Sequence, residues 1–111
     1  MDTRLKYQTL IKNILQTHAQ YKPAYSEIEP HVIFDDEQSR YTLLEFGWHH
    51  KKYVHDCIIH IEMINHKIWI QSDGTEEGIA TDLVEAGIPA DEIVLGFRHP
   101  KLRQYTDFAV A

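Results

Sequence analysis

Tyr53-Val54-His55-Asp56-Cys57-Ile58-Ile59-His60-Ile61-Glu62-Met63-Ile64, then Asn65-His66, then Lys67-Ile68-Trp69-Ile70-Gln71, spells two alternating runs around a two-residue turn. In an extended strand, successive side chains point to opposite faces. Tyr53, His55, Cys57, Ile59, Ile61 and Met63 therefore share one predicted core face, and Asp56, His60 and Glu62 share a wetter one. That alternation predicts an antiparallel sheet backed by helices on one side only. Asn65-His66 suits a tight hairpin, because asparagine tolerates positive φ. Lys67 to Gln71 then pairs back, with Trp69 on the face opposite Ile68 and Ile70.

Upstream, Tyr41 to Trp48 is a further predicted strand with Leu44, Phe46 and Trp48 on one side. Before it, the polar turn Asp35–Ser39 follows an extended stretch from Glu27 to Phe34, where Ile28, Val32 and Phe34 share a face. Pro30 cannot donate to a ladder, so this strand belongs at an edge. Leu5, Leu10, Ile11, Ile14, Leu15 and Ala19 fall near helical spacing and predict an amphipathic helix over residues 3–20, ended by Lys22-Pro23. Short connections between four adjacent strands make a meander the simplest topology.

Downstream, Ser72-Asp73-Gly74-Thr75 turns the chain into a predicted helix over 76–86, with Thr75 as cap and Glu76 and Glu77 in its first turn. Gly87-Ile88-Pro89 looks like a left-handed stop followed by a proline block. Pro89–Glu92 suits one more helical turn and Ile93–Phe97 a short buried strand. The apolar tail Thr106–Ala111 is expected to dock on the sheet or on another subunit. The whole is a single α+β domain over residues 1–111: an antiparallel sheet of about four or more strands, an N-terminal helix, and a second helix after the sheet.

With 43% apolar and 11% aromatic residues, the chain has the composition of a globular domain. No apolar run approaches the roughly 18–20 residues of a membrane span. The N-terminus lacks signal-peptide character, and the lone Cys57 cannot form an internal disulfide, so a cytoplasmic address is expected. The net charge is −6, and residues 72–97 hold seven acids and no base. Autonomous DNA binding usually demands a broad basic face. The small clusters His49-His50-Lys51-Lys52 and Arg98 to Arg103 do not supply one unless they meet, and solvated turn residues are the plainer reading.

Eight histidines raise a metal hypothesis. His60 and Glu62 share a strand face, and Asp56 is expected on the same face but about 13 Å from His60, too far to share an ion, while zinc needs three or four close ligands. Cross-strand charge pairing is the plainer reading. Cys57 with His55 or His60 would resemble a nucleophile and base, yet a thiol on the predicted core face is inert packing. Asp73, Glu76 and Glu77 are explained by helix capping. Neither a catalytic residue, a metal site nor a cofactor is expected. Trp48 and Trp69 are core anchors if buried and recognition residues if exposed.

The words Asp73-Gly74-Thr75, Gly87-Ile88-Pro89, Leu95-Gly96-Phe97 and Thr106-Asp107-Phe108 carry a resemblance over essentially the whole chain. Upstream it extends through Gln20-Tyr21-Lys22-Pro23, Ile33-Phe34-Asp35, Gly47-Trp48 and Ile59-His60-Ile61. In this order of words the chain resembles the XisI-like family, the fdxN-element excision controlling factor proteins. The resemblance implies an accessory role in a developmentally regulated DNA rearrangement of cyanobacteria, with strand exchange left to a separate recombinase. It also implies a XisH-like second controlling factor as partner, and it carries over no catalytic residue. The expected mode is protein binding through Trp69, Tyr105, Phe108 and Val110, with a homodimer plausible. The alternative is a direct DNA-binding directionality factor using Lys51, Lys52, Arg98, Lys101 and Arg103.

Overall fold

The computed structural model describes residues 3–21 and 27–111. Helix α1 (Thr3–His18) leads into β1 (Glu29–Asp35), β2 (Arg40–His49), β3 (Lys52–Ile64) and β4 (Lys67–Asp73). Helix α2 (Ile79–Glu85), a 3₁₀ turn over Ala90–Glu92, β5 (Ile93–Leu95) and a 3₁₀ segment over Pro100–Tyr105 complete the chain. The strands form one sheet in the order β1-β2-β3-β4-β5. The first four make the expected antiparallel meander. β5 joins β4 in parallel, because α2 carries the chain back to the starting end, as parallel pairing requires. The helix-ending role of Lys22-Pro23 lies outside the described residues.

The core sits between the helices and one sheet face. Tyr7, Ile11 and Leu15 on α1 meet Tyr41, Leu43, Ile59, Ile61, Ile68 and Ile70 on the sheet, with Ile79, Leu83, Ile88 and Ile93 closing the far side. Leu5 is the exception to the expected α1 stripe and is exposed. The start of α1 is instead fastened to the β1–β2 turn. Arg4 donates to the Asp36 and Glu37 carbonyls and to Ser39 Oγ, and Gln8 donates to the Asp36 carbonyl. Asn65 and His66 both take positive φ, as a two-residue hairpin turn needs.

Two irregularities reset the alternation. Leu43 opposes Ile59 while Leu44 opposes Cys57, so Ile58 is an extra residue in β3. Beyond such a bulge the side-chain phase inverts. Tyr53, His55 and Cys57 therefore lie on the face away from the helices, opposite to Ile59 and Ile61, which corrects the single core face expected for all of them. Asp56, paired with Glu45, moves to the helix side, away from His60 and Glu62. On β2 the buried positions are Tyr41 and Leu43, and Trp48 is exposed.

The second bulge lies in β4, where Ile61 opposes Ile70 but His60 opposes Ser72, leaving Gln71 extra. It turns Asp73 toward the helices. Asp73 Oδ1 accepts from the Thr75 amide at 2.9 Å and hydroxyl at 2.6 Å, and Oδ2 accepts from the Ile79 amide at 2.7 Å. The helix thus begins at Ile79 rather than 76, and Asp73 is its organising carboxylate. Thr75 Oγ1, besides donating to Asp73, accepts from the Gly78 amide and not from an amide within the helix. At the other end Ile88 donates to the Leu83 carbonyl and Gly87 to that of Val84, with Gly87 at φ 102°, the two-bond stop expected there. Asp73→Ala should lower stability by about 2 kcal/mol, a lost cap plus unpaired amides. Urea denaturation measures this, and Asp73→Asn should recover only part, since its amide nitrogen cannot accept.

Two tyrosines tie helix and sheet to acidic partners. Tyr7 donates to Glu92 Oε2, and Tyr41 donates to Asp36 Oδ1 at 2.8 Å. Burial and then the Glu92 bond push the Tyr7 phenol up to about 12, and burial and then Asp36 raise Tyr41. A folded-state pKa above the unfolded value contributes stability that is complete below about pH 10 and is lost as pH rises through the folded value. Thermal midpoints should therefore fall between pH 10 and 12. Tyr7→Phe should reduce that slope, as melts followed by circular dichroism across this range would record.

Candidate functional site

Three surfaces bear functional side chains. The first is the sheet face away from the helices. Its rows cross the strands: His31 on β1 stacks on Phe46 of β2 at 4.0 Å between centroids, and Phe46 on His55 of β3 at 5.5 Å. Trp48 and Tyr53 pair at 5.2 Å toward the β2–β3 tip, and both are about half exposed, as is Ile33. Cys57 is exposed on the same face. Partial burial still pushes its thiol pKa up, which keeps it protonated and a poor nucleophile. His55, expected as a half-buried core ring, is exposed in this row.

Further along, His60 Nε2 lies 3.1 Å from Glu62 Oε1, and the Arg40 guanidinium is 3.8 Å from the same oxygen. This is charge pairing rather than a ligand set. Among the described residues no three His, Cys, Asp or Glu side chains converge as metal ligands.

The second surface is the C-terminal segment. Arg103 is buried, with its guanidinium 5.1 Å over the Trp69 ring. It donates to the carbonyls of Leu95, Gly96, Arg98 and Val110 at 3.1–3.4 Å. The tail docks as expected: Ala109 bridges Val94 and donates to the Ile93 carbonyl, and Lys67 Nζ donates to the Ala111 carbonyl. Of the four partner-binding candidates, Tyr105 (80% exposed) and Val110 (55%) face solvent, joined by Leu102 and Phe97. Trp69 and Phe108 are half-buried by the chain's own packing, which leaves less of each open to a partner.

The basic candidates do not meet. Lys51 and Lys52 sit at the β2–β3 tip, eight residues along β3 from His60, which pairs with Ser72 near the C-terminal segment. Eight residues of strand span roughly 26 Å. Arg98 and Lys101 are exposed beyond β5. Arg103 is committed to carbonyls and cannot reach a phosphate, a correction to its place among the DNA contacts. Its carbonyl partners all lie within eight residues of it, but the turn that folds them around the guanidinium, and the distant Trp69 ring beneath it, are not legible in the local sequence.

The third surface is a cleft of about 760 Å³ between the end of α1, the start of α2 and the sheet. His18, Tyr21, Glu45, Glu76, Glu77 and Asp82 are among its lining residues. His18 Nε2 and Asp82 Oδ2, 2.8 Å apart, tie α1 to α2 beside it. No helix among the described residues is long and apolar enough to cross a membrane.

Comparison with known proteins gives these surfaces a context. The family model described as XisI protein matches residues 1–110. A crystal structure of a XisI-like protein from Anabaena variabilis ATCC 29413 is 36% identical, with a TM-score of 0.90 over 97% of this chain and 99% of that one. The crystal structure of the fdxN element excision controlling factor XisI from the same organism is 33% identical, with a TM-score of 0.85 over 99% of this chain and 100% of the other. No functionally curated protein matches the chain. A match that runs from the first helix to the docked tail, with the sheet superposing throughout, establishes that this chain belongs to the XisI family.

Proposed function

We propose that this protein is a non-enzymatic accessory factor that controls excision of a DNA element by binding another protein of the excision system, the XisH-like controlling factor first among them. The observation that carries the reading is the family match over residues 1–110, together with a solved relative named as an fdxN element excision controlling factor. The exposed group Phe97, Leu102, Tyr105 and Val110 supports docking at the C-terminal segment. Tyrosine is enriched among residues that dominate interface energies, and Arg103 holds this segment rigid against the sheet, which lowers the ordering cost of association. The separation of Lys51 and Lys52 from Arg98 and Lys101, and a net charge of −6, favour protein over direct DNA contact.

Co-expression with the XisH-like protein encoded in the same genome tests the proposal. The two should co-elute at micromolar concentration, and Tyr105→Ala with Val110→Asp should weaken the complex at least about tenfold, near 1.4 kcal/mol. Separate elution of the wild-type proteins counts against it. Direct DNA binding predicts instead an affinity for fdxN-element ends that falls steeply with salt, with the slope reduced by about one for each contacting base removed. Flat or absent binding at low salt eliminates that alternative.

A further inference from the structure

We infer that the outer edge of β1 pairs antiparallel with the same edge of a second copy, joining two sheets into one across a two-fold axis at Ile33.

The pairing of β1 fixes which of its backbone groups look outward. The Glu27 amide donates to the Trp48 carbonyl at 3.2 Å. In the same register Glu29, His31, Ile33 and Asp35 oppose Phe46, Leu44, Thr42 and Arg40. Hydrogen-bonded and non-hydrogen-bonded pairs alternate along an antiparallel ladder. Those four residues therefore bond to β2, and Pro30, Val32 and Phe34 turn their backbone groups away from it. β1 is the outermost strand. Proline suits position 30, having no amide to leave bare. Val32 and Phe34 each keep an outward N–H and an outward C=O, and among the described residues no other strand meets them.

The chain finishes its other edge differently: the tail lies along β5, with Ala109 bridging Val94. Natural sheets guard an open edge with charges, prolines or bulges. On β1, Pro30 and Asp35 stand near the ends, and the stretch Val32-Ile33-Phe34 between them is wholly apolar, with Ile33 55% exposed.

Register selects a second copy as the occupant. In an antiparallel pair of β1 strands, outward residues oppose outward residues, which leaves few choices. Val32 against Val32 would set Phe34 opposite Pro30, which has no N–H to give, and Glu29 opposite Asp35, two like charges. Phe34 against Phe34 would set Ile33 opposite Asp35. Shifts the other way set Pro30 opposite Val32 or opposite itself. Val32 against Phe34 avoids all of these. Each of the two Val32–Phe34 pairs then exchanges both of its backbone bonds, and Ile33 meets Ile33 on the axis. Asp35 stands between Arg40 of its own sheet and the copy's His31, both able to donate to it.

A strand that complements itself in this way makes the same contact twice, as an isologous interface must. The axis is perpendicular to the sheet, so both helix layers stay on one side. Val32 and Phe34, partly buried against the core of each copy, are covered by those of the other. The C-terminal segments lie at the far edges and stay open, so the dimer carries two of the partner sites proposed above. A seam this short buries less than a standard interface, and a dissociation constant of roughly 10–100 μM is expected.

Sedimentation equilibrium on the full chain, with hydrogen exchange at the Val32 and Phe34 amides, tests the inference. The wild type should dimerise over that concentration range, and both amides should become protected as it does. Ile33→Lys, an exposed position whose replacement leaves the core intact, should give a folded monomer by circular dichroism with both amides unprotected. In a Cys57→Ser background, Ile33→Cys should oxidise to a disulfide-linked dimer, because a non-hydrogen-bonded pair holds its Cα atoms about 4.5 Å apart. His31→Cys, roughly 13 Å from its copy in this register, should not. Tyr105→Ala should leave the dimer unchanged, which separates this seam from the partner site. A wild type monomeric at about 500 μM, a dimer that survives Ile33→Lys, or cross-linking through His31→Cys as fast as through Ile33→Cys would overturn it. So would protection of the Val32 and Phe34 amides only when the XisH-like protein is added, which would make that protein's strand the occupant.

Discussion

Replacing Gly47 with alanine is expected to lower the melting temperature by roughly 12 °C or more, about 3 kcal/mol at this domain size. Gly47 sits in β2 at φ 146°, a region that costs any side chain. A Cβ there would lie 2.5 Å from the Glu27 carbonyl oxygen and 2.9 Å from the Ile28 Cα. Both are backbone atoms, so no rotamer change relieves the contact. The Glu27 amide donates to the Trp48 carbonyl at this same point, so the damage falls on the entry to β1. Gly87→Ala provides the comparison. Its φ of 102° is also strained, but nothing lies within 4 Å of the added atom, and about 1 kcal/mol should be lost. Differential scanning calorimetry of the two variants separates backbone strain from steric contact. Equal shifts would show that the close approach at Gly47 carries no energy.

Arg103→Ala is expected to cost about 2–4 kcal/mol and to release the tail, because four carbonyls lose a charged donor and the Trp69 ring loses its cover. The tail binds the sheet mainly through Ala109, which donates to the Ile93 carbonyl at 2.8 Å. Hydrogen exchange at the Ala109 and Phe108 amides should accelerate by more than the global loss of stability explains. Arg103→Lys should not rescue it. A lysine offers one point charge, whereas Arg103 uses Nε and both terminal nitrogens at once and stacks its plane on an indole. Full recovery by lysine, or unchanged protection at Ala109, would mean that the tail is held by its apolar contacts alone.

Local chemistry made much of the fold legible. The Asn65-His66 turn, the edge strand marked by Pro30, the α1 stripe and the stop at Gly87-Ile88 each follow from neighbours in sequence, and each is present. So is the outward direction of Trp69, which Ile68 and Ile70 dictate. What failed within the sheet did so at two residues. Ile58 and Gln71 look like ordinary strand residues, and nothing in their side chains announces a bulge. Each one inverts every position beyond it. Cys57 and His55 thus moved to the open face, Asp56 left the company of His60 and Glu62, and Asp73 turned inward to cap α2.

The amino-acid order alone settled the number and nature of most elements, the family, and the absence of a continuous basic run, because these rest on periodicity, turn chemistry and a counted charge. Tertiary structure alone decided which face each half of β3 presents, where α2 begins, and that Arg103 braces the tail instead of meeting a partner. The physical reason is common to all three. They depend on which backbone carbonyls and amides find one another across the sheet, and that pairing is chosen by the closing of the whole core, not by any residue's own preference.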